Sequence, residues 1–139
     1  GGATSDDYLQ LLRQTVQQLD LVASVDFRGH VNDEALDQCY ADADLLVSAS
    51  LHEGFCIPVL EAMQQGIPVL LRSGTAASEV AQGAGLEFGT VDEAATRIGH
   101  LLADAPRRAQ HLHLGQARAA ELIRQSSIDA FAACLEGLR

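Results

Sequence analysis

A chain of 139 residues, 47% of them hydrophobic, is long enough for one proper core and too short for a two-domain enzyme. Its formal charge of −10 argues against a nucleic-acid polyanion as partner and against electrostatic docking to anionic lipid. Aromatic residues make up only 4%, so the core is aliphatic and alanine-rich, the composition of helices packed on a parallel sheet. Cys39, Cys56 and Cys134 are odd in number and lack paired spacing, which fits a reducing cytoplasm better than a disulfide scaffold. No apolar run approaches the roughly 20 residues of a membrane span, and no signal-peptide pattern opens the chain. Gly1-Gly2 reads as the turn after a strand already lost, so one or more N-terminal strands are expected to be missing.

In chain order, residues 5 to about 20 form a predicted helix with Ser5 as its cap. Asp6 and Asp7 fall in its first turn, and Tyr8, Leu11, Leu12, Val16 and Leu19 make an apolar stripe. Residues 22–27 read as a strand ending at Gly29; Asn32 or Asp33 then caps a short helix that turns Ala35, Leu36 and Tyr40 inward. Residues 44–48 are a buried strand of a parallel sheet, and Val69-Leu70-Leu71 is a second. Between them the sequence predicts a helix over 57–65, with Pro58 at its first position and Gly66 just past its end. The small-residue loop Arg72-Ser73-Gly74-Thr75-Ala76-Ala77 stands at a strand's carboxyl end but lacks P-loop spacing, and reads as a plain turn. Glu79 opens another short helix, residues 85–88 close the sheet, and helices are predicted over 92–103, 106–124 from Pro106, and 127–138 with Ser126 or Ser127 as cap. His111 and His113, two residues apart, fall on different sides of a helix and do not form a metal pair.

The stretch that carries chemistry is His52-Glu53-Gly54-Phe55-Cys56-Ile57-Pro58-Val59-Leu60-Glu61. On one helix the two glutamates, eight residues apart, would be separated by about 12 Å. With Glu53 in the preceding loop they can instead flank the helix N-terminus, whose free N–H groups and partial positive charge attract an anion at the carboxyl end of a parallel strand. A ligand with an anionic middle and hydroxyl-bearing ends fits this arrangement, and a nucleoside diphosphate sugar is one. Two glutamates beside a helix start also arise from the helix dipole alone, with no ligand.

Ser50 through Pro58, continuing through Glu61-Ala62-Met63 and Gly66-Ile67-Pro68-Val69, resembles the Glu-(seven residues)-Glu signature of family 4 (group 1) retaining glycosyltransferases. Val25-Asp26-Phe27-Arg28-Gly29-His30-Val31 is similar to that family's upstream strand and turn, and Ser78-Glu79-Val80 with Gly83-Ala84-Gly85 to its downstream segment. The resemblance implies an α/β fold, a Rossmann-like, mainly parallel sheet with helices on both faces, as the C-terminal half of a GT-B glycosyltransferase. Residues 1–139 would then be a single nucleotide-sugar-binding domain. The implied activity is transfer of a sugar from a nucleoside diphosphate sugar to a glycan, lipid or small-molecule acceptor with retention, as in polysaccharide biosynthesis. Its partners would be the nucleotide-sugar donor and an acceptor-binding N-terminal domain of the same longer protein; any membrane association of that protein is not encoded here.

By the same resemblance Glu53 is the catalytic residue, orienting the sugar and stabilising charge, and Glu61 takes the ribose hydroxyls. His52, Gly54, Phe55, Cys56 and Ile57 line the donor, and Val31 and Asp33 approach the nucleobase. Val31 as plain packing and Asp33 as a plain cap remain equally available readings. No metal and no other cofactor is expected. The sequence departs from the pattern at Cys56, where the family usually has glycine, and the family's phosphate-binding Arg and Lys would precede Gly1. A non-catalytic nucleotide-sugar-binding regulatory domain and a GT-B-fold epimerase would share this stretch. A glycosidase is disfavoured, because an anion-attracting helix end opposes a cationic transition state.

Overall fold

The computed structural model describes residues 2–51 and 56–136, with side chains described over 7–51 and 56–126. The chain forms two compact units, Gly1–Ala35 and Leu36–Arg139. In the first, helix α1 (Gly2–Gln18) starts before Ser5 and takes it in as an interior residue rather than a cap, and Gly2 belongs to this helix rather than to a turn. Its stripe is not a buried one: Leu12 and Val16 are half-buried, while Tyr8, Leu11 and Leu19 are exposed. The helix ends on Asp20 in the left-handed region (φ 55°). Leu21 N–H donates to Val16 and Asp20 N–H to Gln17, which satisfies the last carbonyls.

That ending removes the strand expected over 22–27. Leu21 closes the cap and then accepts from Ser24 and Val25 N–H, so 22–24 are turn, and 25–29 carry no ladder pairing. An apolar run becomes a strand only where a partner strand takes its N–H and C=O groups. Asn32, one of the two expected caps, accepts from Ala35 N–H at 2.9 Å and opens α2 (Asp33–Ala41).

The second unit is built on a parallel sheet. Strand β1 (Leu46–Ser48) pairs with β2 (Val69–Arg72), which pairs with β3 (Leu86–Phe88). The register sets Val47 opposite Leu70 and Leu71 opposite Glu87. Alternation along β2 then divides the core. Val69 and Leu71 face a cluster with Val59, Met63, Ala77 and Ala119, while Leu70 faces Leu86, Phe88 and Leu101. The first cluster is covered by α3 (Ile57–Gln64), α4 (Ala76–Ala81) and α6 (Ala105–Glu136), and the second by α5 (Val91–Ala103). Helices therefore lie on both faces of the sheet, as the sequence predicts.

Three details hold the strand–helix–strand unit in place. Gly66, at φ 77°, ends α3: Ile67 N–H reaches Ala62 and Gly66 N–H reaches Met63, and a Cβ at 66 would lie 2.9 Å from Gln116 and 3.2 Å from Leu112 on α6. At Gly115 of α6 a Cβ would touch Met63, which is fully buried. Gly85 enters β3 so close to β2 that a Cβ would lie 2.8 Å from Val69 Cγ2. Pro58 is the second helical residue rather than the first, because Ile57 opens α3. Glu79 lies inside α4, with Thr75 as the cap.

The two last predicted helices are one, running through Ser126 and Ser127. A serine pair in a helix interior costs only a few tenths of a kcal/mol per residue more than a good helix former, and no Gly or Pro stands there to break the ladder.

Candidate functional site

Strand β1 points its carboxyl end at the start of α3, as the βαβ crossover requires. His52, Glu53, Gly54 and Phe55 lie outside the described residues. The chain then passes through Cys56, buried at 8% exposure, with φ 47° and ψ 61°. That left-handed conformation costs a residue with a Cβ roughly 1–2 kcal/mol. It also explains why glycine suits this position in the family that the sequence resembles.

Among the described residues no side chain caps α3; Pro58 has no N–H to donate, and the Val59 N–H donates to the Cys56 carbonyl at 3.0 Å. Ile57 is 59% exposed there. A depression of about 220 Å³ lies at the spot, lined by Ser48, Ala49, Ser50, Cys56, Pro58 and Val59. Larger hollows, about 370 to 560 Å³, lie near the α5–α6 corner around Arg97, His100 and Arg107. The smaller one is the candidate site, because there a parallel strand's end and an uncapped helix start meet.

Glu61 is the fifth residue of α3, about 6 Å along the axis from its start. Helical side chains lean toward the N-terminus, which brings its carboxylate back toward the first turn. It is half-buried and accepts a hydrogen bond from the Tyr40 hydroxyl at 2.7 Å. Tyr40, on α2, is 7% exposed and belongs to the same core cluster as Cys56 and Val59. Burial above all, then the bond to Glu61, pushes the phenol well above its usual range, so the hydroxyl keeps its proton.

Of the residues expected at the site, Cys56, Ile57 and Glu61 are brought together on α3. Val31, half-buried, and Asp33, the exposed first residue of α2, belong to the other compact unit. Tyr40 was not foreseen beyond its inward orientation. The signal was there: a tyrosine turned into an aliphatic core needs a partner for its hydroxyl, and a glutamate on a neighbouring core helix can supply one. Among the described residues no three His, Cys, Asp or Glu side chains gather as metal ligands, and no helix is long and apolar enough to cross a membrane.

A parallel sheet covered on both faces by helices is the build of a Rossmann-like α/β domain. The chain belongs to the glycosyl transferases group 1 family, whose pattern it matches over residues 2–116. It is similar to the MMP alpha-(1->4)-mannosyltransferase of Mycolicibacterium hassiacum, 31% identical over 121 residues, covering 83% of this chain and 29% of that protein. It is 40% identical over 76 residues to O-antigen chain mannosyltransferase B of Escherichia coli, covering 55% of this chain and 20% of that one. The chain thus spans less than a third of the length of these relatives.

Among solved structures it resembles Anabaena Alr3699/HepE in complex with UDP and glucose, with a TM-score of 0.79 and 26% identity over 94% of this chain and 38% of that one. It also resembles the C-terminal domain of the group 1 protein LpcC from Francisella tularensis, with a TM-score of 0.71 and 25% identity over 83% of this chain and 62% of that one. The fold is that of GT-B glycosyltransferase domains.

Proposed function

We propose that this chain is the donor-binding half of an enzyme that moves a sugar from a nucleoside diphosphate sugar to a glycan, lipid or small-molecule acceptor, with retention of configuration. The observation that carries this reading is the uncapped start of α3 at the end of β1, with Glu61 held by Tyr40 just behind it. The relatives, an O-antigen chain mannosyltransferase and an MMP alpha-(1->4)-mannosyltransferase, favour a hexose donor and polysaccharide synthesis. The HepE complex supports a nucleotide with a sugar beside it.

In this reading the diphosphate lies against the N–H groups at residues 55–57, where the helix dipole favours negative charge. The leaving group is the nucleoside diphosphate, so charge stabilised there grows in the transition state and lowers the barrier. Glu53 meets the hydroxyls of the transferred sugar, orienting it and stabilising developing positive charge, and Glu61 meets the ribose hydroxyls. An acceptor domain would supply the second wall that holds the acceptor in line, so the chain alone transfers nothing, and its charge of −10 repels an anionic ligand, so it binds nucleoside diphosphates weakly. Three cysteines, odd in number and without paired spacing, suit a cytoplasmic setting.

The test joins saturation-transfer NMR on a panel of nucleotide sugars with a transfer assay on the longer enzyme. Glu61→Ala is expected to weaken nucleoside diphosphate binding by roughly 10- to 150-fold, the loss of hydrogen bonds to a carboxylate at about 1.5–3 kcal/mol. Glu53→Ala is expected to lower turnover more than nucleotide affinity. Equal losses of nucleotide affinity in the two variants would remove the division of roles.

A further inference from the structure

The Tyr40–Glu61 bond joins a core position on α2 to a carboxylate on the helix that opens the candidate site. Its chemistry is specific. A tyrosine hydroxyl has one proton to donate, whereas an ionised carboxylate offers about four lone-pair sites on two oxygens. Tyr40 therefore engages Glu61 Oε2 and leaves most of the carboxylate's accepting capacity open. An arginine in its place would neutralise the group and could occupy both oxygens at once. A neutral phenol fixes the orientation of the carboxylate without removing its charge.

The donor is itself packed in the core. The Tyr40 ring is 7% exposed and packs in the cluster that includes Val59 and Ala62 of α3, Cys56 before it, and Val69 and Leu71 of β2. A half-buried carboxylate on a flexible side chain would otherwise sample several rotamers, at an entropic cost of about 1 kcal/mol or more when a ligand selects one. We propose that Tyr40 is a positioning residue for donor recognition: its hydroxyl holds one oxygen of Glu61 so that the remaining lone pairs face the ribose hydroxyls of a nucleotide. This rests on the donor-site reading above and adds to it a residue outside the Glu-(seven residues)-Glu stretch.

A ligand pair that differs only at the ribose separates positioning from plain packing. Uridine and guanosine diphosphates, each beside its 2′,3′-dideoxy counterpart, are titrated into the chain and into Tyr40→Phe, which keeps the buried ring and deletes the hydroxyl. The expected result is about a tenfold loss of affinity for the ribose form in the variant, the size of one hydrogen bond, with the dideoxy form bound alike by both. Equal losses on the two forms, or no loss on either, overturn the role of Tyr40. A parent chain that binds none of the four nucleotides overturns the donor-site reading itself and this inference with it.

A second measurement does not depend on how well Tyr40→Phe folds. The chain has two tyrosines, so 3-fluorotyrosine incorporated in a Tyr8→Phe background labels position 40 alone. The ribose nucleotides are expected to shift its fluorine resonance, and the dideoxy forms to leave it nearly still. Matching shifts from both forms count against the proposal.

Discussion

Three helices of the second unit begin after a strand of the sheet, and their starts differ. At α4, Thr75 and Ser78 close a reciprocal box: the Ser78 N–H donates to Thr75 Oγ1, and the Thr75 N–H donates to Ser78 Oγ. At α5, Thr90 Oγ1 accepts from Glu93 N–H, and the Glu93 carboxylate accepts from Gly89 N–H at 2.7 Å. At α3 the chain enters through a left-handed Cys56, with no cap among the described residues. Two starts are closed by side chains, and the third, among the described residues, has only the backbone bond from Val59 N–H to Cys56 O. Side-chain caps serve stability, and a start without one costs the helix that contribution.

The contrast can be tested where its energies are largest. Cys56→Val puts a β-branched side chain at φ 47° and is expected to be about 1–3 kcal/mol less stable than Cys56→Gly, for which that backbone is free of strain. Chemical denaturation of the two variants checks it, and equal midpoints with equal slopes would remove the claim of strain. Next comes the closed start: Thr75→Ala deletes the box and the hydroxyl's bond to Arg72 O, and is expected to cost about 1–2 kcal/mol. A thermal melt that does not move would show that α4 needs no cap.

The smallest effect is a pH dependence at α5. The N–H of Gly89, then that of Thr90, hold the Glu93 carboxyl below the usual carboxylate range. A depressed folded value contributes stability that is present above the unfolded value and is lost as pH falls through the folded one. Glu93→Gln is therefore expected to flatten the acid limb of a melting-temperature profile while leaving the neutral region nearly level with it in slope. An unchanged acid limb would mean that the carboxylate does not cap.

Much of the second unit was legible in the sequence. Residues 69–71 and 85–88 announce β2 and β3 because buried parallel strands are short apolar runs bounded by turn residues. The strand over 22–27 failed because its first residues are drawn into the end of α1, which an Asp at a left-handed position does not advertise. The helix break at Ser126-Ser127 failed because a good cap residue is also a tolerable interior one. Within the site, the spacing of Glu53 and Glu61 placed Glu61 near the start of α3, where the structure has it, while Glu53 lies outside the described residues. The bond from Tyr40 crosses 21 positions of sequence and follows from packing alone.

The seat of α3 governs how a ligand would be received. Met63 is fully buried on its rear side, and Gly66 and Gly115 let α6 lie directly against it. The N–H groups at its front are thus arranged before any anion arrives. Such preorganised donors bind charge without reorienting, so the free energy of the contact is not diminished by ordering the helix. Amide hydrogen exchange should reflect this: protons in the second turn of α3 exchange only through opening of the whole unit, and their rate reads its global stability with or without nucleotide.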